Sequence, residues 1–264
     1  MTFDLMVFAA DPRRAHDALG AGASAVIVDW ECRNKEYRQQ GADTEINRFG
    51  PAELGAVRRA VDGHVVCRVN GMHANSRDEI DAAISAGAQE IFLPMVRRVD
   101  EAEQLLVWTC GRAKSSILIE TVDAVRLAPE LGQLPLTRIY VGLNDLAIDL
   151  GNPSLFTAAA DGILDRIRPH IRTDFGFGGL TLPERGSPIP CELLMSEMVR
   201  LQCGFTFLRR SFWRDAQEVG VPDAIRRIRN GLARTAELDA RELDDNRMRF
   251  CRVVREQLPM GARV

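Results

Sequence analysis

Short apolar runs alternate with longer amphipathic stretches from one end of the chain to the other. The runs lie at Leu5–Ala9, Ala25–Asp29, Val65–Val69, Glu90–Leu93, Ile117–Ile119, Ile139–Val141, Phe175–Leu180 and Phe205–Leu208. Most are continuous Val, Ile, Leu and Phe rather than strict apolar–polar alternations, which predicts parallel strands covered on both faces. The run at Phe175 carries the weakest strand signal, because Gly176, Gly178 and Gly179 interrupt it.

Helical patterns fill the intervals. Pro12–Leu19 follows Asp11, with proline in the first turn. Pro51–Val61 follows Gly50. Ser76–Ala86 opens as S-R-D-E, a spacing that predicts a capping box between Ser76 and Glu79, and it stops at Gly87. Asp100–Trp108, Ala124–Leu131, Phe156–Ile171, Glu192–Gln202 and Ala216–Ala233 follow. Eight strand–helix units in 264 residues predict an α/β fold of the (β/α)8 TIM-barrel type, for which about 250 residues is typical.

A further helical stretch, Leu238–Gln257, exceeds the eight units; its apolar positions include Leu243, Met248, Phe250, Val253 and Val254. It predicts an additional C-terminal helix over residues 235–258, packed over a barrel end or onto a neighbouring subunit. No linker-like stretch divides the chain, so residues 1–264 are expected to form one barrel domain. A doubly wound sheet would want a glycine-rich turn after the first strand, and the turn here reads Ala10-Asp11-Pro12-Arg13. The glycines at 176–179 are read as backbone-turn residues.

Charge and cysteine usage narrow the function classes. Lys+Arg 34 against Asp+Glu 37 gives a net charge of −3, with no long-range attraction to nucleic acid or anionic lipid. No apolar run approaches the ~20 residues of a membrane span. The N-terminus lacks the basic region of a signal peptide. The six cysteines show no C-x-x-C and no zinc spacing, so most are expected to be reduced, buried and small, in a cytoplasmic protein.

Catalytic groups of a (β/α)8 barrel cluster at the carboxyl ends of the strands. Strand two ends in Asp29-Trp30-Glu31, strand three in Arg68-Val69-Asn70 and strand five in Glu120. Strand six runs into Gly142-Leu143-Asn144-Asp145, and strand eight into Arg209-Arg210. Glu120 and Asp145 end adjacent strands, where two hard oxygen ligands suit Mg²⁺ or Mn²⁺. Arg68 could hold a substrate carboxylate or a developing enolate oxygen. The bland alternative is that strand-end carboxylates cap helices or pair with arginines. His73, on a loop above this rim, is a candidate general base or an ordinary solvent-exposed histidine. Cys32 could be a thiolate beside Arg33 or an inert side chain. Trp30 could stack on a substrate or fill the barrel top. Arg209 and Arg210 could bind a distal carboxylate or phosphate, or pair with Asp215 or Glu197.

Five stretches, in order and at barrel spacing, resemble the HpcH/HpaI aldolase and citrate-lyase β-subunit family. They are AVIVDWE over 25–31, VCRVN over 66–70, EIFLPMVRRVDEAE over 90–103, ILIET over 117–121 and VGLNDLAIDLG over 141–151. The resemblance runs from about Leu5 to Gly151 and weakens beyond. It implies a metal-dependent barrel in which Glu120 and Asp145 bind the divalent ion and Arg68 contacts the keto acid. Backbone groups around Gly142, Leu143 and Asn144 would cradle the substrate carboxylate, and Asp29 and Glu31 would hold metal-bound water or orient neighbours. Three positions depart from the pattern. Cys32 stands where the aldolase branch has its acid/base histidine. Pro94-Met95 replaces the Pro-Lys of the lyase branch. The aldolase branch's Pro- and Gly-rich insert before strand five is missing.

The expected function is therefore a divalent-metal-dependent carbon–carbon lyase or aldolase on a small 2-oxo acid of the pyruvate or oxaloacetate type, through a metal-stabilised enolate. Arg68 and His73 are its candidate catalytic residues, and a homo-oligomer is the expected assembly. The alternatives are an acyl-CoA lyase or thioesterase, and a barrel that binds a ligand without turnover.

Overall fold

The computed structural model describes residues 3–33, 49–152 and 154–257. Eight strands close into one barrel in chain order: β1 (Asp4–Phe8), β2 (Ala25–Asp29), β3 (His64–Arg68), β4 (Glu90–Leu93), β5 (Lys114–Ile119), β6 (Arg138–Val141), β7 (Asp174–Phe177) and β8 (Phe205–Phe207). Every neighbouring pair is parallel, β8 against β1 included.

Each predicted strand is present, with shifted ends that have physical causes. β1 and β3 begin one residue early, at Asp4 and His64, because these polar residues join a charged layer at the barrel's lower end. There Glu90 accepts from Ser116 and Arg138 and contacts His64, while Arg138 also reaches Asp4. β7 stops at Phe177, since Gly178 takes a positive φ of 68°; Leu180 rejoins the sheet through a single bridge to Leu208. Gly176 is not a turn glycine. A Cβ there would lie 2.4 Å from the Phe205 carbonyl oxygen, so its bare backbone lets β7 and β8 approach.

The helices are α1 (Pro12–Gly20), α2 (Pro51–Ala60), α3 (Ser76–Ser85), α4 (Val99–Thr109), α5 (Val122–Arg126), α6 (Ala128–Leu131), α7 (Leu143–Asp149), α8 (Thr157–Ala160), α9 (Ile163–Ile167), α10 (Cys191–Arg200), α11 (Ser211–Val219), α12 (Val221–Thr235) and α13 (Ala240–Glu256). Two expected single helices are broken at glycines with positive φ: Gly162 separates α8 from α9, and Gly220 separates α11 from α12. Helix α7 was not expected as a helix. The capping box expected at Ser76 is also absent: Asn75 holds the cap position, Ser76 Oγ accepts from the His73 N–H, and Glu79 turns to Asn70 and His73.

Two apolar layers follow from the period-two alternation of the strands. Met6, Ile27, Val66, Phe92, Leu118, Tyr140, Phe205 and Phe207 fill the barrel. Tyr140 stacks on Phe207 with ring centroids 3.8 Å apart. Leu5, Val7, Val26, Val28, Val65 and Ile91 face outward against the helices. Helix α13 packs its Phe250 and Val254 on α10 and α8, where Arg247 donates to Glu197 and to the Ala159 carbonyl. Cys67, Cys191 and Cys203 are buried, and burial pushes the Cys67 and Cys203 thiols up. Cys110 is exposed and Cys32 and Cys251 are half-buried, so burial is less general than expected. Among the described residues, no helix is long and apolar enough to cross a membrane.

Candidate active site at the barrel mouth

Parallel strands place their carboxyl ends on one rim, and the side chains that point inward there open onto a cavity of about 350 Å³. Asp29, Arg68, Glu120, Tyr140, Asp145, Arg209 and Arg210 are the titratable groups lining it.

Arg68, at the last position of β3, is held by β2. Its Nε donates to Asp29 Oδ1 at 2.8 Å and its Nη2 to Asp29 Oδ2 at 2.7 Å, while Nη1 lies 3.3 Å from Glu31 Oε2. The bidentate fork fixes the guanidinium plane, and the Phe8 ring lies 5.0 Å from its central carbon. Burial works against the charge, but Asp29 and Glu31 outweigh it and raise the Arg68 pKa well above its usual value.

Glu120, just beyond β5, has the opposite problem. Burial, then the Asp145 and Glu31 carboxylates, push its pKa well above the usual carboxylate range; Arg68 and the Met95 N–H only partly offset them. That N–H donates to Glu120 Oε2 at 3.2 Å. Gly142 shapes the other side. A Cβ there would lie 2.2 Å from Glu120 Oε1, so only glycine lets the β6 end pass the carboxylate. Asp145 follows in the first turn of α7 and is also buried. A buried carboxylate whose charge is disfavoured by burial and by neighbouring carboxylates fits a divalent cation, which would relieve that penalty. Among the described residues no group of three or more His, Cys, Asp or Glu side chains is placed to hold a metal ion.

Leu143 and Asn144 line the cavity beside Gly142. His73, Trp30 and Cys32 are not brought to it. His73 turns to Glu79, with Nε2 2.9 Å from Glu79 Oε2, and its Nδ1 accepts from the Asn75 N–H. Trp30 belongs to the outer apolar layer, because Asp29 points inward and the next residue must point out. The residues expected as structural partners of Arg209 and Arg210 are taken elsewhere: Asp215 pairs with Arg214, and Glu197 with Arg200 and Arg247. Tyr140 also lines the cavity and was not among the sequence candidates, and Gly142, expected as part of a backbone cradle, is seen to leave room for Glu120. Tyr140 reaches the cavity from inside β6, donating to the Gly178 carbonyl, and burial pushes its phenol pKa up.

Asn70 ties the rim together. Its Oδ1 accepts from the N–H groups of Cys32 and Arg33, each at 2.9 Å, and its Nδ2 donates to Glu79 Oε1 at 2.6 Å.

No protein-family profile and no curated protein matches the sequence. Solved structures do. The chain is similar to the citrate synthase SbnG, with a TM-score of 0.59 and 18% identity over 82% of this chain and 91% of that one. Macrophomate synthase matches with a TM-score of 0.54 and 14% identity, over 92% of this chain and 85% of its own. A tryptophan synthase from M. tuberculosis matches at 0.57 and 14%, over 89% and 94%. At these identities the likeness shows the barrel fold alone, and barrels of one shape host many chemistries.

Proposed function

We propose that this protein is a carbon–carbon lyase or aldolase acting on a small 2-oxo acid, with a divalent ion held by Glu120 and Asp145. The observation that carries this reading is the meeting of two buried carboxylates and one immobilised guanidinium in a single cavity at the carboxyl ends of the strands. The resemblance of five rim-forming stretches to metal-dependent aldolases points the same way, as do neighbours that include a citrate synthase and macrophomate synthase.

When bound, a divalent ion there would polarise the keto oxygen and share the charge of a developing enolate. The chain's own residues supply the rest. Asp29 and Glu31 hold the Arg68 fork in one plane, so its position costs no reorganisation when negative charge appears on the substrate. Gly142 keeps Glu120 in place. Phe8, Leu118, Leu143 and Phe207 make part of the walls apolar, and a less polar wall strengthens charge–charge interactions beside it. Among the described residues neither His73 nor Cys32 lines the cavity, and the groups there that could carry a proton are its carboxylates and the Tyr140 hydroxyl.

Calorimetric titration with Mn²⁺ tests the ligand pair: Glu120→Gln and Asp145→Asn should each abolish binding while the far-ultraviolet spectrum stays unchanged. Deuterium exchange at the methyl group of pyruvate tests the chemistry, and should require the metal. Undiminished Mn²⁺ affinity in both variants overturns the ligand assignment, and absence of exchange overturns the enolate reading.

A further inference from the structure

Arg209 is a cation without a visible reason to be one. Its Nη2 is buried and meets no hydrogen-bond partner. Its remaining contacts fix it in place. Nε donates to the Gly179 carbonyl at 2.7 Å, and the guanidinium lies 6.0 Å from the Phe156 ring centre. The stem passes so close to Gly179 that a Cβ there would lie 3.1 Å from Arg209 Cγ. A buried guanidinium N–H left unsatisfied is costly, and one held rigidly at a cavity wall is placed to receive an acceptor from outside the chain.

Arg210 follows it at the head of α11, exposed, and also lines the cavity. The carboxylates nearest in the chain are engaged elsewhere. Asp215 accepts from Thr181 and pairs with Arg214, and Glu218 pairs with Arg185. Both arginines also line a second hollow of about 760 Å³ that opens beside the first and shares Phe8, Asp29 and Leu208 with it. Arg14 and Arg214 face that hollow too. Among the described residues that line it, the acidic ones are Asp29, locked on Arg68, and Asp11, whose Oδ1 caps the Arg14 N–H. The amino-terminal ends of α1 and α11 converge there because β1 and β8 are neighbours. Among the described residues, four arginines and two helix amino-termini thus gather at this hollow on a chain whose net charge is −3.

We infer that Arg209 and Arg210 form a subsite for a second anionic group, a carboxylate or a phosphate, on the molecule whose 2-oxo-acid end lies at Glu120, Asp145 and Arg68. This rests on the proposed function and narrows it: the substrate or acceptor carries two anionic ends, one at each side of the mouth, rather than a neutral tail. The guanidinium fork of Arg209 supplies geometry, and Arg210 adds charge at the rim.

The test titrates the metal-free full-length chain with succinate and with inorganic phosphate, in wild type, Arg209→Met, Arg210→Gln and Glu120→Gln. The expected result is saturable binding of at least one dianion, weakened about tenfold or more by either arginine change, as for loss of a charged hydrogen bond. Binding should survive Glu120→Gln. The tighter of the two probes identifies the group as carboxylate or phosphate. Arg210 is exposed, so its variant carries the test if Arg209→Met fails to fold. Wild-type affinity in both arginine variants, or no binding of either dianion to wild type, overturns the inference. Arginine-dependent dianion binding with no uptake of Mn²⁺ and pyruvate supports the subsite and removes the proposed chemistry instead.

Discussion

Gly142 lies against the Glu120 carboxylate with no room for a side chain. Its φ of −84° suits every amino acid, so the requirement for glycine comes from space and not from backbone strain. Alanine there would set Cβ 2.2 Å from Glu120 Oε1 and 2.6 Å from its Cγ, and the carboxylate would have to move. Overpacking of this kind costs about 1–3 kcal/mol. We expect Gly142→Ala to lose about that much in urea unfolding and to lose Mn²⁺ binding in calorimetry, whereas Gly20→Ala, with nothing within 4 Å, should change neither. Full Mn²⁺ affinity in Gly142→Ala would show that Glu120 is not a ligand. At this scale the sequence was partly legible. That Arg68, Glu120 and Asp145 meet at one cavity was legible because each ends or follows an apolar run, and strand ends sort polar residues to one rim. Trp30 was assignable too: once Asp29 faces inward, its neighbour faces the helices. The need for glycine at 142 and the unpartnered, buried Nη2 of Arg209 depend on approach distances between strands, which no local pattern encodes.

Among the elements, Asn70 links the segment after β2 to the start of α3. Asn70 accepts two backbone N–H groups from Cys32 and Arg33 and donates to Glu79, which in turn holds His73. Asn70→Ala strands those groups, and a buried donor or acceptor left without a partner costs about 1–3 kcal/mol. The expected outcome is that loss in urea unfolding, with faster peptide-resolved alkylation of Cys32 as the segment loosens. Unchanged stability and labelling would show that the backbone holds this rim without Asn70. The same network explains the missing capping box. Glu79 has the right spacing from Ser76, but Asn70 and His73 offer it partners that a one-dimensional pattern cannot reveal. All eight strands were legible, because burial on both faces leaves continuous apolar runs. Helix α7 was not, since seven residues (Leu143–Asp149) are too few to show a period. The breaks at Gly162 and Gly220 looked like interruptions that a helix could tolerate.

Across the whole molecule the two ends of the barrel treat their buried carboxylates in opposite ways. At the lower end, burial opposes the charge of Glu90, but its hydrogen bond with His64 and the nearby Arg138 outweigh burial and hold its pKa below the usual value of 4.5. A folded-state pKa below the unfolded one contributes stability that is complete above about 4.5 and lost as pH falls through the folded value. At the upper end, burial and the neighbouring carboxylates raise the pKa of Glu120, so its ionised form destabilises the metal-free fold. That fold is therefore favoured by protonation of Glu120, and the advantage is lost as pH rises through its raised pKa. Glu90→Gln leaves buried Arg138 with its Asp4 and distant Asp174 contacts only, and breaking a buried pair in this way costs about 3–5 kcal/mol. Urea unfolding of the metal-free protein should show that deficit at neutral pH, and the deficit should shrink in acid below 4.5, where wild-type Glu90 loses its own charge. Glu120→Gln should behave in the reverse sense, more stable than wild type at neutral pH and converging with it in acid. A Glu90→Gln deficit of the same size at both pH values would mean that Glu90 is not ionised in the fold. A neutral-pH loss in Glu120→Gln would mean that the upper carboxylates are held by partners strong enough to cancel their repulsion, and would leave a divalent ion little to relieve.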